Sequence, residues 1–447
     1  MKLHRMFGGV MAAVVALTLA ACGSGSSNSS SSSTPANPTL SSKRVKSGTL
    51  TAYVAKGKNT DWLKASLKLY NKKYGTDLKL NPTDVAPAVP MVQKITPMLV
   101  AKQSMPDLVF LQDSNAGAVM SKFSKDFYSS QDYGFVKKYG DDFYTAKMNY
   151  AKSIAPDKKV YGFPNDWGTT VLFYNDALFK KAGINFADVK TWDQMIDAGK
   201  TLKEKTGKNL MFMRDTGDLD TVKNIAMQLG APLIDKNGAV DISNPKVIKA
   251  YSILKKIQDA NIVSYGNMAD YLKIGQQTGI IQAGGWFASM QQESYPNEKG
   301  DWRVRALPLV NASDKVIQPA NGGSSYYVPK KSKNGLAAMQ FLTFMLTDKS
   351  SLDAYIKLAG LPANTTAYKS AAANEGFAYY GGQKLTQEMN KITLDSLTVY
   401  SYPYVSDLDT YLAAASYDVK KNGTAPKAAL DKQAQLFADK YSIKVVK

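Results

Sequence analysis

Between Thr49 and Leu111, short β-prone runs alternate with amphipathic stretches, and this alternation narrows the possible folds more than any other feature of the chain. Thr49-Leu50-Thr51-Ala52-Tyr53-Val54 reads as a strand. Residues 61–74 place Leu63, Leu67 and Tyr70 at helical spacing. Leu78-Lys79-Leu80 is a second strand, residues 89–101 a second helix, and Asp107-Leu108-Val109-Phe110-Leu111 a buried third strand. An opening of β-α-β-α-β predicts a parallel sheet with helices packed on it. Further on, a strand over 168–174 runs into Asn175-Asp176, which caps a helix over 177–182, and Thr191-Trp192-Asp193 opens another. Asp235-Lys236-Asn237-Gly238 is a turn. Asn244-Pro245 starts an amphipathic helix with Val247, Tyr251, Leu254 and Ile257 on one face. Strands are predicted over 303–307 and 325–328, an apolar helix over 336–346, and mainly helix beyond. At 447 residues the chain is long enough for two domains with their own cores.

The N-terminus carries an address. Lys2 and Arg5 precede an apolar run from Val10 to Ala20, too short to span comfortably as a permanent helix. Leu19-Ala20-Ala21-Cys22 closes it and resembles a lipobox, in which the cysteine sulfur receives a diacylglycerol and becomes the first residue after cleavage. Cys22 is the only cysteine in the chain. Residues 1–21 therefore read as a lipoprotein signal peptide, and 22–47, almost all Ser, Gly, Asn, Thr and Pro at first, as a flexible tether from lipidated Cys22. The expected location is the outer face of the cell membrane; the family resemblance described below further implies a bacterium lacking an outer membrane.

Composition removes several chemistries. The single histidine, His4, leaves with the signal. A Ser-His-Asp or Cys-His pair, a His- or Cys-based zinc site and a disulfide are then all excluded from the mature chain. No metal and no cofactor is expected. The formal net charge of +19 invites thoughts of nucleic acid. Only Arg44, Arg214, Arg303 and Arg305 remain beyond the signal, however, and no basic cluster interleaves with aromatics. The lysines read as a solvated coat, suited to anionic wall polymers or headgroups, and nucleic acid is not an expected partner.

Several stretches, in order, resemble the family 1 extracellular solute-binding proteins, the sugar receptors of ABC importers that include the maltose-binding protein. They are Met105-Pro106-Asp107-Leu108-Val109, Val160-Tyr161-Gly162-Phe163-Pro164, the run from Leu172 to Ile184, Thr191-Trp192-Asp193-Gln194-Met195, Leu229-Gly230-Ala231-Pro232, Gly279 to Trp286, Trp302 to Pro308, Gly322-Gly323, Lys330 to Asn334 and Gly360-Leu361-Pro362-Ala363. The resemblance spans roughly residues 48–440. It implies an α/β fold: a two-lobed, periplasmic-binding-protein-like architecture of type II, with hinge crossings and a central ligand cleft. The crossings are expected near 166–172, 304–309 and 345–355. The N-lobe would then comprise 48–168 and 306–350, and the C-lobe 169–305 and 351–447. The resemblance also implies a monomer that captures a sugar or oligosaccharide by lobe closure and delivers it to the transmembrane subunits of an ABC permease, with no catalysis.

A sugar ring offers an apolar C–H face to an aromatic plate and a rim of hydroxyls to charged or amide groups. Trp286, after Gly284-Gly285, and Trp167, between Asp166 and Gly168, are the expected stacking residues. Trp62 stands between stacking and core, and Trp192 and Trp302 read as core. The polar candidates are Asp113, with a helix cap as its alternative, Asp166, Asp61 and Lys58. Gly323 could let backbone amides approach the ligand. Tyr326, Arg214 and Asp215, with an internal salt bridge as alternative, and Tyr404 complete the set. Three rivals stay open: a lipid-anchored carbohydrate-active enzyme with paired carboxylates, an adhesin gripping wall glycans, and a receptor of the same superfamily for another solute. An acidic sugar remains possible through Lys58 and Arg214.

Overall fold

The computed structural model describes residues 37–446 apart from 215–218, 232, 236, 268–269, 271, 274–275 and 395–403. Its strands are β1 (Ser47–Val54), β2 (Asp77–Asp84), β3 (Leu108–Gln112), β4 (Phe163–Asn175), β5 (Met211–Arg214), β6 (Val263–Gly266), β7 (Ile280–Gly284), β8 (Trp302–Arg305) and β9 (Ala320–Tyr327). One mixed sheet runs β2-β1-β3-β9-β4-β7, with β8 also on β4, while β5 and β6 pair separately. The predicted β-α-β-α-β opening is present: β1 pairs in parallel with both β2 and β3. Leu50, Ala52 and Val54 alternate inward along β1, as a period of two requires. The helix Lys58–Tyr74 buries Trp62, Leu63, Ser66, Leu67 and Tyr70 along one stripe and stops at Gly75, whose left-handed φ of 58° ends the ladder.

The fold turns on β4. Its first half, Phe163 to Thr169, pairs with β9; its second half, Thr170 to Asn175, pairs with β7 and β8. Two register shifts lie in the first half, between Pro164 and Asp166 and between Trp167 and Thr169. Such irregularities bend a strand and re-aim its side chains. At Gly168 a Cβ would fall 2.5 Å from Gly323 N, so the strands approach there only because side chains are missing. On the near side of this point an N-lobe core gathers around β1, β3, β9 and the helix Gly335–Thr347. On the far side, one C-lobe core packs the helices Trp192–Thr206, Leu219–Gln228, Pro245–Asp259 and Pro426–Tyr441, and another joins β4 and β7 to Phe287, Trp302 and Tyr380. Trp192 and Trp302 are buried, as expected of core residues. The capping box at Thr191 and Gln194 and the Asn175 cap on Leu178 N are both formed.

Three expected boundaries shift. The N-lobe begins before residue 48: Leu40 N donates to Tyr133 O, and the Gln340 amide binds Ser42 O, Lys43 O and Val45 N, fastening residues 40–45 to it. The C-lobe does not end at 305, because Leu307 and Val310 lie in its core and Trp192 N donates to Leu309 O. The last return to the C-lobe comes well after 351. The helix Lys349–Lys357 stays with the N-lobe, where Tyr355 stacks on Trp62 at 3.9 Å, and Ala363, Ala367, Ala372 and Ala373 follow it into the same core. In between, the chain touches the hinge at the Asp166–Pro362 bridge, and Tyr379 and Tyr380 then enter the C-lobe.

Candidate functional site

A cleft of about 640 Å³ opens where these lobes meet. The N-lobe supplies the loop after β1 (Lys56 to Asn59), the loop after β2 (Asp84 to Pro87), Gln112 at the end of β3, and Gly322 to Ser324 on β9. Asp166 comes from the irregular stretch of β4. The opposite wall is Trp286 with the helix Phe287–Ser294, which presents Met290 and Glu293. Trp286, Met290 and Glu293 are spaced i, i+4, i+7, so one helical face carries all three.

Trp286 is 41% exposed, a high value for a tryptophan, and Met290 is 38% exposed. Its glycine neighbours explain the pose. A Cβ on Gly284 would stand 2.7 Å from the indole Cδ1 and Nε1, so the ring lies against bare backbone. A Cβ on Gly285 would meet Leu361 of the hinge segment at 2.0 Å. Phe287, fully buried, meets the indole edge-on with centroids 5.8 Å apart and roots the wall in the C-lobe.

The charges of the lining are mixed: Lys56 and Lys58 against Asp84, Asp166 and Glu293. Lys58 opens the helix Lys58–Tyr74, and burial lowers its ammonium to about 8, against the pull of Asp166 and Glu293. Asp166 Oδ1 accepts from Ser324 Oγ at 2.6 Å, and Ser324 Oγ accepts from Asn165 Nδ2 at 3.0 Å. One carboxylate oxygen is thereby tied down on the cleft floor.

Asp113 lies beneath that floor instead of on it. It is the first residue of the helix Asp113–Phe123, buried, with Oδ2 held 2.5 Å from Nζ of the fully buried Lys147. Lys147 also donates to Ser324 O at 2.8 Å, and the Tyr150 hydroxyl donates to Asp113 O. Burial raises the Asp113 carboxyl to about 6; the attraction of Lys147 opposes the shift and Asp166 adds to it. Gly323, at φ +110°, makes room for this carboxylate, since a Cβ there would stand 2.5 Å from Asp113 Oδ2. Neither the expected ligand contact nor the alternative cap describes Asp113: the cap position is Gln112, and the carboxylate anchors β9 through Lys147.

Trp286, Asp166, Lys58 and Gly323 thus share one cleft. Arg214 lines a smaller pocket beyond Trp286, 3.8 Å from Asp220. Five more candidates lie elsewhere. Trp167 is buried in the N-lobe, packed on Tyr150 with the Lys147 ammonium 5.8 Å from its ring, because the turn of β4 points it inward. Trp62 is wholly buried, its Nε1 donating to Ser351 O at 2.8 Å. Tyr326 is wholly buried against Phe110 in the N-lobe core and is not part of the cleft lining. Tyr404 packs on Phe437 and Tyr441 at the far end of the C-lobe, its hydroxyl donating to Gly238 O. Asp61 is exposed and outside the cleft lining. Asp215 and Cys22 fall outside the described residues. Sequence reading missed Glu293 and Met290, although their helical spacing from Trp286 was a usable signal. It also missed Lys147, for which no local pattern distinguishes a buried lysine from a solvated one.

Residues 65–379 match the bacterial extracellular solute-binding protein family, a family of binding proteins and not of enzymes. An arabinooligosaccharide-binding protein of Bacillus subtilis is 30% identical over 319 residues, covering 67% of this chain and 70% of that one. A maltooligosaccharide ABC transporter solute-binding lipoprotein of Streptococcus pneumoniae is 25% identical over 371 residues, covering 80% and 79%. Among solved structures, the ABC transporter associated binding protein from B. animalis subsp. lactis Bl-04 in complex with β-1,6-galactobiose superposes with a TM-score of 0.72 at 20% identity, covering 90% of this chain and all of that one. The two-lobed fold is therefore that of the periplasmic-binding-protein-like receptors.

Proposed function

Because this chain belongs to the bacterial extracellular solute-binding proteins, we propose that it is the sugar receptor of an ABC importer, closing its lobes on a neutral oligosaccharide. The observation that carries the reading is the half-exposed Trp286 indole, set on the C-lobe wall of the cleft and facing the polar floor of Lys58 and Asp166. An aromatic plate opposed by charged hydrogen-bonding groups suits a ring that is apolar on its face and hydroxylated at its rim. Lining charges of both signs favour a neutral ligand over an acidic one. The basic excess of the chain lies elsewhere, on its outer surface.

In this reading a sugar bridging Trp286 and the N-lobe floor stabilises the closed form by its differential affinity for that form. Residues 166–170 of β4 and the 359–363 segment carry the bend. A membrane permease would then take the closed lobes as its cue. Cys22 would hold the receptor on the outer membrane face through its lipid. The relatives named for oligosaccharides and, in Streptococcus pneumoniae, for a lipoprotein support this assignment. The test is a thermal-shift and calorimetric screen against mono- and oligosaccharides. A ligand that binds only the folded state raises its melting temperature; a chain that binds no sugar in the panel sinks the proposal.

A further inference from the structure

Leu40 and Arg44 line a pocket of about 330 Å³ at the C-terminal end of the helix Lys58–Tyr74. Lys73 and Tyr74, the last residues of that helix, form one wall. Tyr133, Lys138 and Tyr139 form another, and the last turns of the helix Gly335–Thr347 close the base. The bonds that fasten residues 40–45 to the N-lobe also complete this pocket: Leu40 N meets Tyr133 O at 3.0 Å, and Gln340, itself in the lining, holds the backbone on either side of Arg44. Lys58, in the sugar cleft, opens the same 17-residue helix. The two sites therefore stand about one helix length, ~25 Å, apart.

The charges of this pocket do not balance. Arg44, Lys73 and Lys138 face a single carboxylate, Asp348. Lys73 satisfies that acid, with Nζ 2.5 Å from Asp348 Oδ2. Arg44 lies over the Tyr74 ring, with Cζ 3.6 Å from its centroid, and donates through Nη1 to the Tyr70 hydroxyl at 2.8 Å. Lys138 has its Nζ 5.0 Å from the Tyr139 centroid. Among the described residues neither Arg44 nor Lys138 forms an ion pair. Lys46 adds a cation nearby, its Nζ donating to Tyr74 O at 3.2 Å. Aromatic seats fix the two unpaired cations without neutralising them. A guanidinium fork beside an ammonium, both held in a concavity, suits the oxygens of a phosphate group.

The source of the phosphate follows from where the chain comes from. Leu40 stands roughly 18 residues after Cys22, a span of at most about 65 Å even fully extended. On the lipid-anchor reading, on which this choice of ligand rests, the pocket never leaves the neighbourhood of a bilayer. Tethering at that range raises the local headgroup concentration, so a weak site is enough. Tyrosine rings such as Tyr74 and Tyr139 also sit favourably at headgroup level. We propose that this pocket seats the phosphodiester headgroup of an anionic phospholipid, with its oxygens on Arg44 and Lys138. So docked, the receptor rests on the far end of its N-lobe. The sugar cleft, at the other end of the helix Lys58–Tyr74, is held away from the membrane and open to the medium for capture.

The test is vesicle sedimentation of the mature chain, residues 22–447, carrying Cys22→Ala so that no lipid anchor contributes. The vesicles are phosphatidylcholine alone, or phosphatidylcholine with about one quarter phosphatidylglycerol, at low salt where screening is weak. Each basic group at an anionic surface is worth about fivefold in binding. Arg44→Gln/Lys138→Gln is expected to lower binding to the anionic vesicles by about tenfold or more. Lys138→Gln alone, a change at an exposed side chain, should cost about fivefold and covers the case in which loss of Arg44 disturbs the fold. Lys208→Gln/Lys249→Gln removes the same charge from exposed positions on the C-lobe and should cost less than about twofold. Melting temperatures report whether each variant is folded. An equal loss in the two double variants would assign the binding to a diffuse basic coat and overturn the site. Equal binding to phosphatidylcholine alone, no binding to the anionic vesicles, or site variants that bind as the parent does would overturn it too. Because the chain tested carries no lipid, these failures leave the anchor reading standing, and fractionation of the Cys22→Ala cell tests that reading separately.

Discussion

Replacing Lys147 by methionine tests how the cleft floor is held. Lys147 is fully buried, with Nζ 2.5 Å from Asp113 Oδ2 and 2.8 Å from Ser324 O. Asp113 Oδ1 has no hydrogen-bond partner of its own. Methionine keeps most of the volume and removes the charge, leaving an uncompensated carboxylate in the interior. Breaking a buried pair from one side costs about 3–5 kcal/mol, whereas replacing both partners by apolar groups is often neutral. Lys147→Met is therefore expected to lower the melting temperature strongly, and the double variant Asp113→Leu/Lys147→Met to recover most of the loss.

The same pair predicts a pH dependence. Burial holds the Asp113 carboxyl at about 6, above its unfolded value of about 3.9. The folded state then keeps its proton more tightly than the unfolded state does. The resulting penalty is absent below the unfolded value, grows as pH rises, and is complete above the folded one. A gap of this size is worth about 3 kcal/mol. Without Lys147 the folded value climbs further, so the deficit of Lys147→Met should widen between about pH 5 and pH 8. The assay is a set of thermal melts of wild type, single and double variants at both pH values. A single variant that melts like wild type at both, or a double variant no more stable than the single, would refute this account of the floor.

Trp286→Ala should weaken sugar binding by about 1–3 kcal/mol, the scale of one lost aromatic anchor, while Trp167→Phe, a buried exchange, should leave affinity within a few-fold; calorimetry separates the two. Lys58, with its ammonium lowered to about 8, is charged at neutral pH and loses its proton as pH rises through that value. If the ammonium donates to the sugar, affinity falls above about pH 8, and Lys58→Met flattens the profile; a wild-type affinity unchanged between pH 7 and 9 would remove Lys58 from the contact set. Cys22→Ala should release the protein from the membrane fraction into the medium, and a variant that stays in the membrane fraction would show that Cys22 is not the anchor.

Much of the site was legible in outline. Gly284-Gly285-Trp286 signalled a ring with no bulky neighbour, and in the structure Gly284 makes room for the indole while Gly285 makes room for Leu361. Lys58 was reachable because it follows the end of β1, where open α/β sheets leave polar groups free to face a cleft, and Asp166 because it precedes the strand expected over 168–174, although the structure places it inside β4. Trp62, in the first turns of the helix after β1, and Trp167, within β4, were ambiguous because either element can turn a ring to the cleft or to the core. Their direction came from partners on other segments: Tyr355 and Ser351 for Trp62, and Tyr150 on a separate helix for Trp167. Tyr326, two residues along β9 from Ser324, shares its face of the strand but packs on Phe110 in the N-lobe core, a partner on another strand that local pattern does not reveal.

By itself the sequence determined the local elements and their class. Periodicity, caps and glycine stops depend on residues within a few positions of one another, and they specified the β-α-β-α-β opening, the Thr191 capping box and the 168–174 part of β4, but not its Phe163–Trp167 part, which pairs with β9. Tertiary structure decided which lobe each late segment joins and which polar groups meet. Residues 349–373 went to the N-lobe because Tyr355 finds Trp62 across most of the length of the chain. The Asp113–Lys147–Ser324 series of contacts under the floor likewise joins three segments that no local pattern connects. Burial and pairing are properties of the assembled molecule, and only assembly could assign them.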